Sequence, residues 1–218
     1  MTASLPELLV VDPFAVMNTV GLVAFALVGA TKAVRERFDV FGVAVVGLAT
    51  AFAGGTTRDL LVNRVPLVLR SPAELALGLL GVGLALGLTA TRDAPDEHRV
   101  TLLADAVGLA AFTTSGAIVA TQTGVSAVGV VAVATINAVG GGAVADILLD
   151  RAPFILLDDF YASCAVLGGT GYVLAGVAGL PATAAAAVCA GVVVGTRVAA
   201  LVYGWELPTA QALGLAED

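Results

Sequence analysis

The chain has 218 residues, of which 59% are hydrophobic and only 12% are charged, and its formal net charge is −7. Soluble domains are about 45–50% apolar and about 25% charged, so this composition excludes a water-soluble globular protein. The acidic balance also argues against nucleic acid as a partner, because nucleic-acid binding uses a basic face.

Seven apolar stretches follow one another along the chain, each about as long as a membrane-spanning helix. Such a helix needs roughly 20 apolar residues, and the length of these runs favours helices over buried strands. The predicted spans are 14–33, 40–62, 72–90, 101–121, 125–149, 160–179 and 182–204. Because the loops between them are short, we predict an all-α membrane protein with seven transmembrane helices and no soluble domain.

The first three spans resemble the next three. Residues 54–66 return as residues 141–153, at a constant offset of 87 residues. Three spans carry the chain across the membrane an odd number of times, so the second copy must be inverted. We therefore predict two inverted three-helix repeats, 14–90 and 101–179, followed by a seventh helix, 182–204. Many transporters are built in this way, with the working site where the repeats meet.

Adjacent glycines interrupt the middle span of each repeat. A glycine inside a helix costs about 1 kcal/mol relative to alanine, and helix kinks occur at such positions. We therefore expect helices 2 and 5 to be kinked and broken at the glycines, around a water-accessible path. These residues are Gly54 and Gly55 in the first repeat and Gly140, Gly141 and Gly142 in the second.

Charged and polar residues flank the glycines. Arg58 and Asp59 follow the first pair, and Asp146 follows the second group. A charge that faces lipid is costly, so these side chains should face the interior of the bundle. Two interpretations stay open: a closed ion-pair cluster that locks the repeats together, or groups that line or gate a path for cations. Thr50 and Asn137, one turn before a glycine on the same helix face, complete the candidate pore and gate residues.

Two further groups of polar residues are candidates. Asn18 and Asp105 occupy matching positions in the first and fourth spans, and Asp105 is interpreted alternatively as the N-terminal cap of the fourth helix. Lys32, Arg35 and Arg37 follow the first span. We expect them to form a solvated loop that sets topology, with a lipid-headgroup or regulatory site as the alternative.

Basic residues are distributed unequally between the two sides of the membrane. The first, third and fifth loops carry most of them, whereas the second has only Arg64 and Arg70 and the fourth and sixth have none. The positive-inside rule therefore predicts a cell-membrane protein with its N-terminus outside and its C-terminus in the cytoplasm. Residues 1–13 lack Lys and Arg, so we expect no cleaved signal peptide.

The sequence predicts neither an enzyme nor a cofactor or metal site. His98 is the only histidine and lies in a polar loop, so the spans offer no Ser–His pairing and no Cys/His cluster for zinc. The chain has no G-x-x-x-x-G-K-[ST] loop, which argues against ATP-driven transport by this chain. An aspartyl protease pairing of Asp59 with Asp146 is disfavoured, because Arg58 adjoins the first carboxylate.

Taken together, these motifs resemble the trimeric intracellular cation channel family. The resemblance is carried by Gly-Gly-Thr-x-Arg-Asp-Leu-Leu at 54–61, the run at 105–117, Gly-Gly-Gly-x-x-x-Asp at 140–146, and Asp-Phe-Tyr-Ala at 159–162. It extends over nearly the whole chain, 14–203.

The resemblance implies a homotrimer with one pore in each protomer, which conducts monovalent cations, mainly K⁺ with Na⁺ also passing, among membrane lipids. It implies that helices 2 and 5 line the pore, with Arg58, Asp59, Asp146 and the glycines as site residues. The family commonly has Arg before Asp in both repeats, whereas this chain has Ala145 in the second. Some bacterial relatives have been described as glycine transporters, so a secondary transporter of a small amino acid is the alternative.

Overall fold

Helices make up almost all of the computed structural model, which describes residues 12–91, 94–157 and 160–208. The side chain of His98, Asp159 of the family motif and residues 1–11 lie outside this description. The seven α-helices of the described ranges are α1 Pro13–Arg35, α2 Val40–Leu61, α3 Pro72–Thr91, α4 Ala94–Gln122, α5 Ala127–Leu148, α6 Ala162–Val177 and α7 Ala182–Tyr203. Six are long and apolar enough to cross a membrane, and α6 is a shorter apolar helix.

The predicted all-α, seven-helix class is confirmed, and most predicted spans lie within a few residues of the observed helices. The fourth helix is the exception, because it begins at Ala94 and not at the predicted 101. Asp105 therefore lies inside α4, so its alternative interpretation as an N-terminal cap is wrong.

Equivalent caps begin the middle helix of each repeat. Asp39 accepts a hydrogen bond from the backbone N–H of Gly42 at 2.7 Å, and Ser126 accepts one from Gly129 at 3.2 Å. Both pairs satisfy backbone donors that the first helical turn leaves unpaired. The repeat is therefore preserved in the local structure even where the capping residue has changed from Asp to Ser.

The chain also leaves α2 and α5 in the same way. Asn63 and Asp150 have φ of 56° and 55°, a left-handed conformation that Asn and Asp adopt more readily than most residues. Each is followed by a proline and a short 3₁₀ turn, Leu67–Leu69 in the first repeat and Phe154–Leu156 in the second. These turns bring the chain back over the end of the helix it has just left.

The first helices of the two repeats pack against each other through matched contacts. The rings of Phe25 in α1 and Phe112 in α4 meet edge to face, with centroids 5.1 Å apart. A Cβ added at Gly21 would collide with the Phe112 ring, and one at Gly108 with the Phe25 ring. Gly21 thus lies opposite Phe112 and Phe25 opposite Gly108, so α1 and α4 run antiparallel. The two repeats are therefore inverted relative to each other.

The outer surface of the bundle is apolar. Phe41, Val128 and Val177 are 77%, 79% and 81% exposed, and many other large hydrophobic side chains are exposed too. Soluble monomers rarely expose such continuous apolar surface, whereas a lipid bilayer requires it. The protein is therefore a multi-pass membrane protein.

Candidate functional site

The two glycine-containing helices cross at the centre of the protein. A Cβ added at Gly54 of α2 would collide with the carbonyl oxygen of Asn137, and one at Gly141 of α5 would collide with that of Thr50. All four residues are buried. The crossing is therefore antiparallel and approximately two-fold symmetric, and glycine is required because backbone meets backbone there.

The helix break expected at the glycines is not found. Both α2 and α5 are α-helical from end to end, and the kink in their axes stays a prediction. The glycines support close packing: Gly54 and Gly141 lie against the facing helix, and a Cβ at Gly140 would be 3.3 Å from the Cα of Gly54. Because the helices are continuous here, the carbonyls of these segments keep their helical hydrogen bonds.

One buried hydrogen-bond acceptor at the crossing is unpaired. Asn137 Nδ2 donates to the carbonyl oxygen of Phe112 and to Ser115 Oγ, but its Oδ1 has no hydrogen-bond partner in the part of the chain that the structure describes. A Cβ at Gly55 would lie 3.9 Å from this oxygen. An unpaired buried acceptor is costly, so this position is suited to a water molecule or a cation.

The C-terminal end of α2 holds a buried ion pair, and we name this region the Asp59 end. Asp59 Oδ2 accepts from the backbone N–H of Leu67 at 2.9 Å, and its Oδ1 accepts from Arg58 Nε at 2.8 Å. Arg58 is 2% exposed, and its guanidinium lies 5.5 Å from the centroid of the Phe14 ring. Its NH1 has no partner among the described residues.

At the C-terminal end of α5, the Asp146 end, the carboxylate is bound in the same way but by a different cation. Asp146 Oδ2 accepts from the backbone N–H of Phe154 at 3.1 Å, and Oδ1 accepts from Lys32 Nζ at 2.8 Å. Lys32 Nζ also lies 5.1 Å from the centroid of the Phe154 ring.

Because α2 and α5 are antiparallel, these two pairs lie at opposite ends of the protein. The single cluster of Arg58, Asp59 and Asp146 that the sequence left open is therefore not formed. The expected solvated loop is also only partly present: Lys32 and Arg35 lie in the last turn of α1, and only Arg37 belongs to the turn that follows. Arg35 and Arg37 are exposed, whereas Lys32 is partly buried against Asp146.

A second matched pair accompanies each carboxylate. Asn18 donates to Glu74 at 2.9 Å at the Asp59 end, and Tyr161 donates to Asp105 at 3.0 Å at the Asp146 end. Arg197 of α7, which is 3% exposed, approaches Asp105 at 3.8 Å and lies 4.7 Å from the centroid of the Tyr161 ring.

Glu74 and Arg197 are not among the site residues predicted from the sequence, and Tyr161 enters there only as part of a motif. The offset of 87 residues aligns Glu74 with Tyr161, so the repeat itself could have pointed to both. Arg197 stands alone in an apolar span outside the repeats, and an isolated charge in a span is itself a signal.

The Asp59 end and the Asp146 end differ in the volume of the cavity beside the carboxylate. A cavity of about 20 Å³ adjoins Arg58, Asp59 and Glu74, whereas one of about 330 Å³ adjoins Lys32 and Asp146. The smaller has room for about one water molecule, and the larger could hold a hydrated ion or a small zwitterion. The tight crossing of α2 and α5 lies between the two cavities.

An apolar bundle of inverted repeats, with buried ion pairs at both ends and an open acceptor at the centre, defines a membrane protein of the channel or transporter type. A family model described as "Glycine transporter" matches residues 15–90 and again residues 102–176. A UPF0126 membrane protein of Deinococcus radiodurans is 40% identical over 155 residues, which is 70% of this chain and 71% of that protein. YvgT of Bacillus subtilis, also a UPF0126 membrane protein, is 33% identical over 193 residues, 88% of this chain and 94% of its own length.

Solved structures of TRIC cation channels share the fold. One, determined to explain conductance, is 36% identical with a TM-score of 0.78 and is aligned over 90% of this chain and 96% of its own. The orthologue from Rhodobacter sphaeroides is 30% identical with a TM-score of 0.82, over 88% and 98%. The chain therefore belongs to the trimeric intracellular cation channel (TRIC) family.

Proposed function

We propose that the protein is a homotrimeric channel for monovalent cations, K⁺ and also Na⁺, with a pore in each protomer lined by α2 and α5. The observation that carries this proposal is the placement of a buried carboxylate, Asp59 or Asp146, at each end of the crossing, with the open Oδ1 of Asn137 between them. Oxygen atoms in this arrangement can replace part of the water shell of a cation. The similarity to TRIC cation channels supports the same function.

The proposed pathway runs from the larger cavity at Asp146, past the glycine crossing, to the smaller cavity at Asp59. Thr50 and Gly55 lie along it on α2, and Gly142 lies along it on α5, where an added Cβ would be 3.5 Å from the Phe154 ring. The conformation of this structure is then a closed one, because backbone meets backbone at the crossing. Conduction requires α2 and α5 to separate there.

The alternative function is secondary transport of a small amino acid such as glycine. The observation that favours it is the unequal size of the two cavities, about 330 Å³ against about 20 Å³. A carrier with inverted repeats opens one side at a time. The amide oxygen of Asn137 and the paired charges at either end would then bind the ammonium and carboxylate groups of the substrate.

Planar-bilayer recording of the purified protein distinguishes the two functions. We expect unitary currents in symmetric KCl and, under a KCl gradient, a reversal potential close to that of K⁺. Chemical cross-linking of the same preparation should give a trimer. Silent bilayers, together with saturable glycine uptake into proteoliposomes, would replace the channel with the carrier.

A further inference from the structure

The first repeat carries two cations that the second repeat lacks. Arg58 of the first repeat aligns with Ala145 of the second, so the second lacks the residue that pairs with the carboxylate of the first. In the same direction, Lys32 of the first repeat aligns with Val119 of the second. The two cations that pair with the two carboxylates therefore both belong to the first repeat, and the second repeat has an apolar residue at each corresponding position.

Nevertheless, the two carboxylates have equivalent surroundings. In both, Oδ2 accepts from the backbone N–H eight residues further along the chain, at 2.9 Å for Asp59 and 3.1 Å for Asp146. In both, Oδ1 accepts from a cation at 2.8 Å, Arg58 in one case and Lys32 in the other. Each cation also lies near an aromatic ring, at 5.5 Å and 5.1 Å from the centroid.

We propose that Lys32 is the positioning residue of the Asp146 end, where it replaces the arginine that the second repeat lacks. It neutralises Asp146 from a different helix and latches α1 to α5 beside the larger cavity. The part of this proposal that concerns permeation rests on the proposed function. The pairing itself does not depend on what the protein transports.

Because Lys32 and Asp146 lie on different helices, their ion pair responds differently to helix movement from that of Arg58 and Asp59. Arg58 and Asp59 are neighbours on α2, so their ion pair is kept whenever α2 moves as a rigid body. Lys32 and Asp146 lie on α1 and α5, so the pair breaks when these helices separate. The side chain of Lys32 is 23% exposed, against 2% for Arg58, which leaves the latch accessible to water and salt from the cavity. Opening at the Asp146 end therefore requires the loss of an ion pair, whereas opening at the Asp59 end does not.

Removing the cation at position 32 and placing one at position 145 tests the pairing without any transport assay. Lys32→Met removes the charge and keeps most of the side-chain volume, and we expect it to lower the melting temperature of the detergent-solubilised trimer by several degrees. Adding Ala145→Arg should recover at least half of that loss, whereas Ala145→Arg alone should give no gain. Arg64→Met, which removes an exposed loop cation, is the matched control and should leave the melting temperature unchanged.

Because Ala145 is fully buried, an arginine there could disturb packing for unrelated reasons. A double-mutant cycle of Lys32→Met with Asp146→Asn avoids that difficulty. We expect the double variant to lose less stability than the sum of the single losses. If the stability losses of the two single variants are additive, and Ala145→Arg also restores no stability to Lys32→Met, the proposed pairing of Lys32 with Asp146 is wrong.

Single-channel recording tests the latch. Lys32→Met should raise the open probability, and the Lys32→Met/Ala145→Arg variant should retain that increase, because its new pair lies within α5 and no longer joins two helices. If Lys32→Met has the same open probability as the unmodified protein, Lys32 does not act as a latch, even if the melting temperatures support its pairing with Asp146. Absence of current from the unmodified protein would instead overturn the proposed channel function. The double-mutant cycle on melting temperature would still test the pairing of Lys32 with Asp146.

Discussion

At the scale of single residues, the glycines of this chain do different things. Gly54 and Gly141 are in contact with backbone of the opposite repeat, whereas a Cβ at Gly83 or Gly87 of α3 would meet nothing within 4 Å. Their abundance in the sequence therefore reflects more than one cause. At the crossing, a single added methyl group would push the two central helices apart.

We expect Gly54→Ala and Gly141→Ala each to destabilise the protein by about 1–3 kcal/mol, which is the usual cost of overpacking. Gly83→Ala is the control, and it should be neutral or stabilise by up to about 1 kcal/mol, because alanine favours the helix. Thermal unfolding of the purified protein in detergent measures the difference. Equal stability of Gly54→Ala and Gly83→Ala would show that the crossing has room for a methyl group, contrary to this prediction.

At the scale of helices, α7 lies outside both repeats but takes part in the Asp146 end. Its Arg197 approaches Asp105 of α4 at 3.8 Å and stacks on Tyr161 just before α6. The corresponding pair at the other end, Asn18 with Glu74, joins α1 to α3 within the first repeat. The seventh helix thus supplies a charge that the repeat alone does not contain.

Arg197→Met should destabilise the protein by about 3 kcal/mol, because it leaves the Asp105 carboxylate largely buried without its cation. Asp105→Asn in the same background should restore part of that loss, since the uncompensated charge is then removed. Arg70→Met, an exposed cation, is the control. A double variant no more stable than Arg197→Met would mean that α7 is held by apolar packing alone.

The helices and their inversion could be predicted because they depend on local or repeated information. Hydropathy gives the spans, and the offset between Gly54 and Gly141 gives the repeat. The pairing of Lys32 with Asp146 could not be predicted, because it joins residues 114 positions apart through the packing of α1 against α5. The predicted helix break is absent for a related reason: the intrinsic preference of glycine against helix is outweighed by the close contact that glycine allows.

At the scale of the whole molecule, the fold is nearly symmetric but its charges are not. Lys32, Arg35, Arg37 and Arg151 lie at the Asp146 end, whereas the loops at the opposite side carry only Arg64 and Arg70. Glu36 pairs with Arg151, which joins the first and fifth loops at this end. We infer that the Asp146 end faces the cytoplasm.

A fluorescent protein that folds only in the cytoplasm, fused to the C-terminus, should therefore fluoresce in cells, and the same fusion at the N-terminus should not. The reason is that seven spans place the termini on opposite sides and the basic loops stay inside. Bright fluorescence from the N-terminal fusion alone would reverse the assignment and place the larger cavity outside.

The closest backbone approach between α2 and α5 lies where Gly54 meets Asn137 and Gly141 meets Thr50. Helices that cross in this way can pivot about the contact, so spreading them at one end narrows the gap at the other, and conduction adds their separation at the contact itself. The roomy cavity and the tight one would then be two halves of one movement. A bulky solute lodged in the wide half would hold the narrow half shut, and we expect blockers that enter from that side to act without ever reaching the far carboxylate.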